Sequence, residues 1–219
     1  LGEALEGKGC PIEQIWVSDG LKPGSLDFVP GAEDGYLGQM FENRLIRRTL
    51  YEAAKASDSI QLHMPATILS KERDAKGVTV KLDNGTTLSA DLMVVAEGRQ
   101  STTREEAGIK IIHWQYNHSA MVGAVFHEKP HQNIAYEIFY PSGPFAVLPM
   151  LDSADGRHRS AIVWSVDEAD APGYMKLSKR GYAAELEKGM GQLFVQVQDG
   201  AHKIIWPDEV AESKRDLSG

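Results

Sequence analysis

Residues 91–104 read DLMVVAEGRQSTTR, and they constrain the fold more than any other stretch of the chain. The apolar run from Leu92 to Ala96 is typical of a buried β-strand, which Glu97-Gly98 ends abruptly. A hydroxyl-rich run then favours a short helix with Ser101 as its N-cap. The stretch therefore predicts a strand, a tight turn and a helix, an arrangement that suits a polar ligand at the carboxyl end of a strand.

A β-rich block precedes this stretch. Its predicted strands run from Ile60 to His63, Thr67 to Arg73, Val78 to Leu82 and Thr86 to Leu88. Asp83-Asn84-Gly85 separates the last two strands and is a strong hairpin signal. The block therefore predicts a β-meander.

The first part of the chain alternates between short strands and helix. Ile12 to Ser18 and Tyr36 to Phe41 are predicted strands. A helix is predicted from Asn43 to about Ala56, because apolar residues recur there at helical spacing with Arg47 and Arg48 on the opposite face.

The second half predicts an antiparallel sheet with a helix after it. The predicted strands run from Ser119 to Glu128, Ile134 to Tyr140, Phe145 to Leu151 and Ser160 to Val166, with short Pro, Gly and Asp loops between them. A helix from Ser178 to Met190 and a last strand from Leu193 to Gln198 follow. The predicted fold class is α+β.

Composition limits the function. The 219 residues include 42% hydrophobic and 25% charged residues, as in an ordinary globular protein, and the net charge is -8. An acidic balance disfavours nucleic acid as a partner, because phosphate binding needs clustered Lys and Arg. No apolar run approaches the roughly 20 residues that span a bilayer, and no signal peptide is recognisable. A cytoplasmic location, with peripheral association at the inner membrane as an option, is the expectation.

Two motifs suggest chemistry but have simpler explanations. His127-Glu128-Lys129-Pro130-His131 matches the zinc-protease pattern HExxH, which works only on a helix. Pro130 would break that helix at a cost of about 3 kcal/mol, so a polar strand end is predicted and no metal site. Cys10 is predicted to be a small filler residue rather than a nucleophile.

Several segments, taken in order, resemble the flavin-dependent aromatic hydroxylases of ubiquinone biosynthesis, within the para-hydroxybenzoate hydroxylase-like monooxygenases. YLGQMFENRLIRRTL (36–50) looks like the family's strand-to-helix entry, and residues 91–104 look like its second fingerprint, with Glu97 where aspartate is usual. Residues 117–150 and SAIVWSV (160–166) resemble the substrate-domain sheet, and Trp206-Pro207 resembles an aromatic-proline pair near the third fingerprint.

The resemblance implies site residues and cofactors. The implied cofactor-binding residues are Arg44, Glu97, Gly98 and Arg104, and the implied substrate-side residues are Gly143, Pro144, Phe145 and Pro149. FAD carries the oxygen chemistry in this family, with NAD(P)H or another donor as the reductant. No catalytic side chain is implied. The implied substrate is a polyprenyl phenol, and other ubiquinone-biosynthesis proteins are candidate partners.

Besides Glu97, the chain departs from the family pattern at both ends, and the family's Gly-Asp segment, which follows the substrate sheet and binds the ribityl chain, does not occur in the sequence. No GxGxxG turn, which would hold the FAD diphosphate, occurs in the sequence. We therefore expect a chain truncated at both ends, with a partial FAD-binding domain at 1–110, a substrate-binding sheet at 111–200 and a tail at 201–219. This fragment of a monooxygenase is expected to be inactive alone. The alternatives are a non-catalytic substrate- or partner-binding module and a hydroxylase of another small phenol.

Overall fold

A computed structural model describes residues 2–20, 22 and 24–190 of the chain. The described residues form two compact units. Unit 1 comprises residues 2–50 and 115–190, and unit 2 comprises residues 51–114. The predicted strand from Leu193 to Gln198 and the pair Trp206-Pro207 lie outside the described residues.

The helices and strands follow one another in a mixed order. The first half contains α1 (Gly2–Leu5), β1 (Cys10–Ile12), β2 (Gln14–Asp19), β3 (Leu26–Phe28), β4 (Gly38–Met40), α2 (Asn43–Lys55), β5 (Ile68–Asp74), β6 (Gly77–Leu82), β7 (Thr87–Ala90) and α3 (Thr102–Glu106). The second half contains β8 (His118–His127), β9 (Ile134–Tyr140), β10 (Gly143–Met150), β11 (His158–Asp167), α4 (Ala171–Tyr174) and α5 (Lys179–Met190).

Unit 1 is built on a six-stranded sheet in the order β3-β2-β9-β10-β11-β8. The run from β9 to β11 and on to β8 is antiparallel, as its short loops predict, whereas β2 pairs with β9 in parallel. The parallel pair was not predicted, because it joins residues more than 100 positions apart in the chain. A separate antiparallel ribbon of β1 and β4 completes the strands of this unit.

One side of the sheet, the covered face, holds the core. Strand residues alternate between the two faces, so Phe145, Ile162 and Trp164 all point to this side. Helix α5 packs there through Leu186 and Met190, and both of these residues are buried. Phe145 is 0% exposed, and its ring lies 5.9 Å from that of Trp164. The predicted amphipathic helix is thus confirmed as the cover of one sheet face.

The opposite side, the open face, consists of the alternate strand residues. Its apolar members are Ile15, Val17, Leu26, Phe28, Ala120, Val122, Ala124, Phe126, Ala135, Phe139, Pro144, Ala146, Leu148, Met150, Ala161 and Val163, and the acidic Glu137 lies among them. Phe126, Ala135, Ala146 and Met150 are buried. Leu26, Phe28, Val122 and Phe139 are each at least half exposed, so neither α4 nor α5 covers this side.

Unit 2 contains the predicted β-meander, in the order β5-β6-β7. The predicted turn at Asn84-Gly85 is confirmed: Gly85 has a φ of 84°, its amide donates to the Leu82 carbonyl, and Asn84 accepts from the Thr86 amide. Helix α3 follows with Ser101 as its N-cap, also as predicted. The α+β class is therefore confirmed.

Two predicted strands of unit 2 are wrong. Residues 92–96 and 60–63 form no strand and pair with no described strand. Leu92 and Val94 are 77% and 82% exposed, although their apolar pattern is that of a strand buried on both faces. A strand needs a neighbour for its backbone hydrogen bonds, and sequence periodicity does not reveal whether that neighbour is present.

The domain boundaries at residues 110 and 200 stay a prediction. The contact-based division falls elsewhere, between Leu50 and Tyr51 inside α2 and between Trp114 and Gln115. Among the described residues, no helix has the length and apolar character needed to cross a membrane.

Two glycines of α5 allow a direct test of the core. An added Cβ at Gly189 would lie 2.6 Å from Cε2 of Phe145, whereas the nearest atom to one at Gly181 is 3.4 Å away. Gly189→Ala is expected to destabilise the protein by about 1–3 kcal/mol, because overpacking outweighs the gain in helix propensity. Gly181→Ala is expected to be neutral or stabilising by up to about 1 kcal/mol.

Urea denaturation followed by circular dichroism would measure both free energies of unfolding. Equal effects of the two substitutions would contradict the tight contact between α5 and Phe145.

Candidate functional site

Glu97 lies at the centre of a hydrogen-bond network in unit 2. Its Oε2 accepts from the Ser101 hydroxyl at 2.6 Å and from the Thr103 amide at 3.0 Å. Its Oε1 accepts from the Thr103 hydroxyl at 2.7 Å. Ser101 also accepts from the Arg104 amide at 3.1 Å, which makes it the N-cap of α3. The carboxylate therefore extends the helix cap that the sequence predicts.

Lys71 supports this network from the neighbouring strand β5. Its ammonium donates to the Thr103 hydroxyl at 2.7 Å and lies 3.0 Å from a carboxylate oxygen of Glu106. Only 11% of the Lys71 side chain is exposed. Sequence reasoning missed Lys71, because it lies 32 positions before Thr103 and no motif joins them.

The network lowers the pKa of Glu97 to about 2. Hydrogen bonds from Ser101 and Thr103 to the carboxylate are the largest cause, and the charge of Lys71 adds to them. Glu97 is therefore ionised throughout the physiological range. Three of about four acceptor positions on the carboxylate are occupied, so Oε1 retains a position for a ligand hydroxyl.

Gly98 and Arg104 follow in the same segment. Gly98 has a φ of 75°, which favours glycine, and no other atom lies within 4 Å of the position of an added Cβ. Arg104 donates from Nη2 to the Arg99 carbonyl at 2.9 Å. Its Nε is buried and has no hydrogen-bond partner among the described residues. An unsatisfied buried donor is unusual and indicates an acceptor from elsewhere.

Arg44 lies in unit 1, in the first turn of α2. Its Nε donates to Glu42 at 2.7 Å, while 76% of its side chain remains exposed. Glu42 also accepts from Nη2 of Arg159 at 3.1 Å. Burial alone would raise the pKa of Glu42, but hydrogen bonds and charges from both arginines outweigh burial and lower it. Arg44 is thus a tethered but accessible cation, and Arg159 is a neighbour that the sequence did not suggest.

The four predicted substrate-side residues lie on β10 of unit 1. Strand alternation places Gly143, Phe145 and Pro149 on the covered face, and Phe145 and Pro149 are fully buried there. Pro144 lies on the open face. The role of these four residues stays a prediction. The open face receives Pro144, Ala146 and Leu148 from this strand.

The HExxH match lies at a strand end, as predicted. β8 ends at His127, whose Nε2 lies 2.9 Å from the Ser160 hydroxyl, and His131 Nε2 lies 2.9 Å from the Met150 carbonyl. Among the described residues no group of His, Cys, Asp or Glu has an arrangement that could hold a metal ion. Cys10 is 2% exposed, and burial, followed by the charges of Asp152 and Glu13, raises the pKa of its thiol to about 11.

The role of Glu97 in the helix cap can be tested by substitution. Glu97→Ala is expected to speed hydrogen exchange of the Thr103 amide by about tenfold, because this amide loses its acceptor. The Arg104 amide is expected to change less, because its acceptor is Ser101. In the wild type, protection of the cap amides from hydrogen exchange is expected to be complete above pH 4.5 and to fall towards pH 2. The reason is that the pKa of Glu97 in the folded protein lies below its ordinary value of 4.5.

The matched control is Glu105→Ala, on the same helix but outside the network. NMR-detected exchange would measure both variants. Unchanged protection in Glu97→Ala, or an equal loss in Glu105→Ala, would show that Glu97 does not hold the cap.

Comparison with known proteins places this geometry in a family. A family model described as FAD binding domain matches residues 38–212. Ubiquinone hydroxylase UbiL of Rhodospirillum rubrum is 38% identical over 191 residues, which are 87% of this chain and 43% of UbiL. The 3-demethoxyubiquinol 3-hydroxylase of Escherichia coli is 28% identical over 158 residues, 72% of this chain and 38% of that enzyme. The chain therefore spans less than half the length of these relatives.

Solved structures agree on the fold. PqsL of Pseudomonas aeruginosa has a TM-score of 0.70 at 20% identity, over 94% of this chain and 58% of PqsL. HpxO of Klebsiella pneumoniae, complexed with FAD and uric acid, has a TM-score of 0.61 at 19% identity, over 86% of this chain and 47% of HpxO. Since the family match covers most of the chain and its relatives include ubiquinone hydroxylases, the chain belongs to the FAD binding domain family, as its ordered motifs predict.

Proposed function

We propose that this chain serves the FAD-dependent hydroxylation of a polyprenyl phenol in ubiquinone biosynthesis. The observation that carries the proposal is the 38% sequence identity between this chain and a ubiquinone hydroxylase, over 87% of this chain. The second such relative, the E. coli 3-demethoxyubiquinol 3-hydroxylase, supports the same substrate class. NAD(P)H is the proposed reductant.

Features of both units fit FAD as the cofactor. In unit 2, the unpartnered Nε of Arg104 offers a buried donor, and Gly98 leaves room for close approach of a ligand to the backbone. In unit 1, Arg44 offers an accessible guanidinium. Phosphate and ribose oxygens are acceptors that suit these groups. FAD, when bound, supplies the redox and oxygen chemistry that no side chain can.

In this proposal, the chain's own residues bind the cofactor and position the substrate. Within unit 2, Arg104 donates to a cofactor oxygen, and Oε1 of Glu97 accepts from a ribose hydroxyl through its remaining position. The open face of the sheet offers apolar surface that excludes water from an aromatic ring. Because the cofactor carries the chemistry and the protein supplies binding and positioning, the sequence needs no catalytic triad or carboxylate pair, and none is recognisable.

A non-catalytic binding module is the second candidate. The exposed apolar residues of the open face favour it, because such a surface binds a phenol ring without a cofactor. A module of this kind would bind the phenol without FAD and without turnover. Association with other ubiquinone-biosynthesis proteins or with a membrane surface stays a prediction.

The proposed role of Arg104 predicts a specific effect on cofactor affinity. Arg104→Met is expected to weaken FAD binding by about tenfold, because a charge-assisted hydrogen bond is lost. Arg99→Met is the matched control, since its carbonyl still accepts from Arg104 while its own guanidinium is removed. Quenching of flavin fluorescence would give both affinities, and circular dichroism would verify the fold. Equal FAD affinity of the wild type and Arg104→Met would contradict the assignment.

Turnover separates the two candidate functions. The chain would be incubated aerobically with FAD, NADPH and 2-prenylphenol, and ring hydroxylation followed by mass spectrometry. A hydroxylated product would establish the enzyme and contradict the expected inactivity. Phenol binding with neither FAD binding nor product would favour the module. Equal binding of phenol lacking the prenyl chain would favour a hydroxylase of small phenols, and absence of both FAD and phenol binding would contradict every candidate.

A further inference from the structure

His131 is a buried histidine in the loop between β8 and β9 of unit 1, and it is 8% exposed. Its ring contacts two backbone groups: Nδ1 accepts from the Asn133 amide at 3.0 Å, and Nε2 lies 2.9 Å from the Met150 carbonyl oxygen. An amide N–H can only donate and a carbonyl oxygen can only accept, so Nε2 carries a proton and Nδ1 carries none. The two partners therefore fix the ring as its neutral Nε2–H tautomer.

The loop that this ring holds has an unusual backbone conformation. Gln132 and Asn133 have φ values of 52° and 60°, in the left-handed region that favours glycine. Two such residues in succession persist only where surrounding contacts hold them in place. One of these contacts is the bond from the Asn133 amide to Nδ1, and another is the bond from the Ile134 amide to the His131 carbonyl at 3.0 Å. The neutral imidazole is therefore part of what maintains the loop.

Asn133 connects this loop to the first part of the chain. Its carbonyl accepts from the Glu13 amide at 2.9 Å, and its side-chain amide donates to Oε1 of Glu13 at 3.0 Å. Its Oδ1 accepts from the Cys10 thiol, with 3.5 Å between oxygen and sulfur. Cys10 begins β1, and Glu13 directly precedes β2. The loop from His131 to Ile134 thus fastens both the β1–β4 ribbon and the start of the parallel β2–β9 pair.

Titratable groups from several neighbouring segments lie around this ring, namely His127 at the end of β8, His158 of β11, Asp152 after β10, Cys10 of β1 and Glu13. The ring centroid of His127 lies 6.0 Å from that of His131 and 6.1 Å from that of His158. Burial, with charge on the two other rings as a smaller cause, lowers the pKa of His127. Both carboxylates are already engaged, Asp152 with His158 and Glu13 with the loop. A positive charge is therefore unfavourable within this cluster.

We propose that His131 is a pH switch: its neutral ring holds the loop from His131 to Ile134, and protonation releases this loop together with the β1–β4 ribbon. A proton on Nδ1 replaces the acceptor of the Asn133 amide with a donor, so two N–H groups face each other. The neutral ring is the form that the loop binds, so the loop is held at neutral pH and released as the pH falls.

Release of the ribbon would reach the segment that carries Arg44. Strand β1 pairs with β4, and β4 ends at Met40, three residues before α2 begins at Asn43. The β1–β4 ribbon therefore helps to position the first turn of α2, in which Arg44 lies. The switch itself is independent of the proposed function, because it needs no ligand.

NMR of the whole chain would test the switch in two ways. Nitrogen-15 shifts of the His131 ring are expected to show the Nε2–H tautomer at neutral pH. Hydrogen exchange of the Glu13 and Asn133 amides would report whether the loop is held. After correction for the intrinsic pH dependence of exchange, their protection is expected to fall about tenfold between about pH 7.5 and about pH 5.5. The Ala146 amide, in the middle of β10, is the internal reference and is expected to keep its protection.

Two substitutions separate the charge of the ring from its hydrogen bond. His131→Asn places a side-chain oxygen near the position of Nδ1, and this acceptor does not titrate. It is expected to retain most of the protection at neutral pH and to abolish the tenfold fall. His131→Leu offers no acceptor and is expected to show low protection at both pH values. His118→Asn, at the exposed start of β8, is the matched control and is expected to keep the wild-type pH dependence.

Several outcomes would overturn the proposal. An Nδ1–H tautomer at neutral pH, or equal protection of Glu13 and Asn133 at both pH values, would exclude the switch. A fall in protection that persists in His131→Asn would assign the pH response to another group, such as His127. Parallel loss of protection at Ala146 would show that acid unfolds unit 1 as a whole and does not release the loop. If His131→Leu fails to fold, the wild type and His131→Asn decide the question.

Discussion

The packing of α5 on one face of the six-stranded sheet is the interaction on which unit 1 depends. Phe145 is fully buried between Gly189 of the helix and Trp164 of the next strand, so the helix approaches the sheet closely. Because α4 and α5 cover the same side, Leu26, Val122 and Phe139 of the other side stay exposed, although Phe126, Ala146 and Met150 there are buried. The exposed part of that side is the surface proposed to exclude water from the substrate ring.

The segment that resembles a flavin fingerprint has a local structural role as well. Glu97 organises the cap of α3 through Ser101 and Thr103, and Lys71 fastens this cap to β5. A longer glutamate in place of the usual aspartate is compatible with this network, since it reaches two residues of the helix. The same geometry holds Arg104 with its Nε buried and without a hydrogen-bond partner among the described residues. Structural and binding roles of the segment are thus compatible.

The open face contains few charged residues. Arg159 and Glu42 pair at one end of the sheet, and Arg44 extends from that pair into solvent. Glu137 stands apart from them, among apolar side chains.

Local sequence patterns determine much of the secondary structure of this protein. The sequence alone predicts the α5 helix, the strands β8 to β11, the Asn84-Gly85 hairpin, the Ser101 cap and the family, because each depends on residues close together in the chain. Residues 92–96 show the limit of predicting strands from local patterns, because their apolar run is typical of a strand but no described strand pairs with it. Lys71 and Arg159 gained their significance only in the tertiary structure. Their environments come from strands distant in sequence, and the pairing of distant strands, which sets burial and partners, is not encoded in any local period.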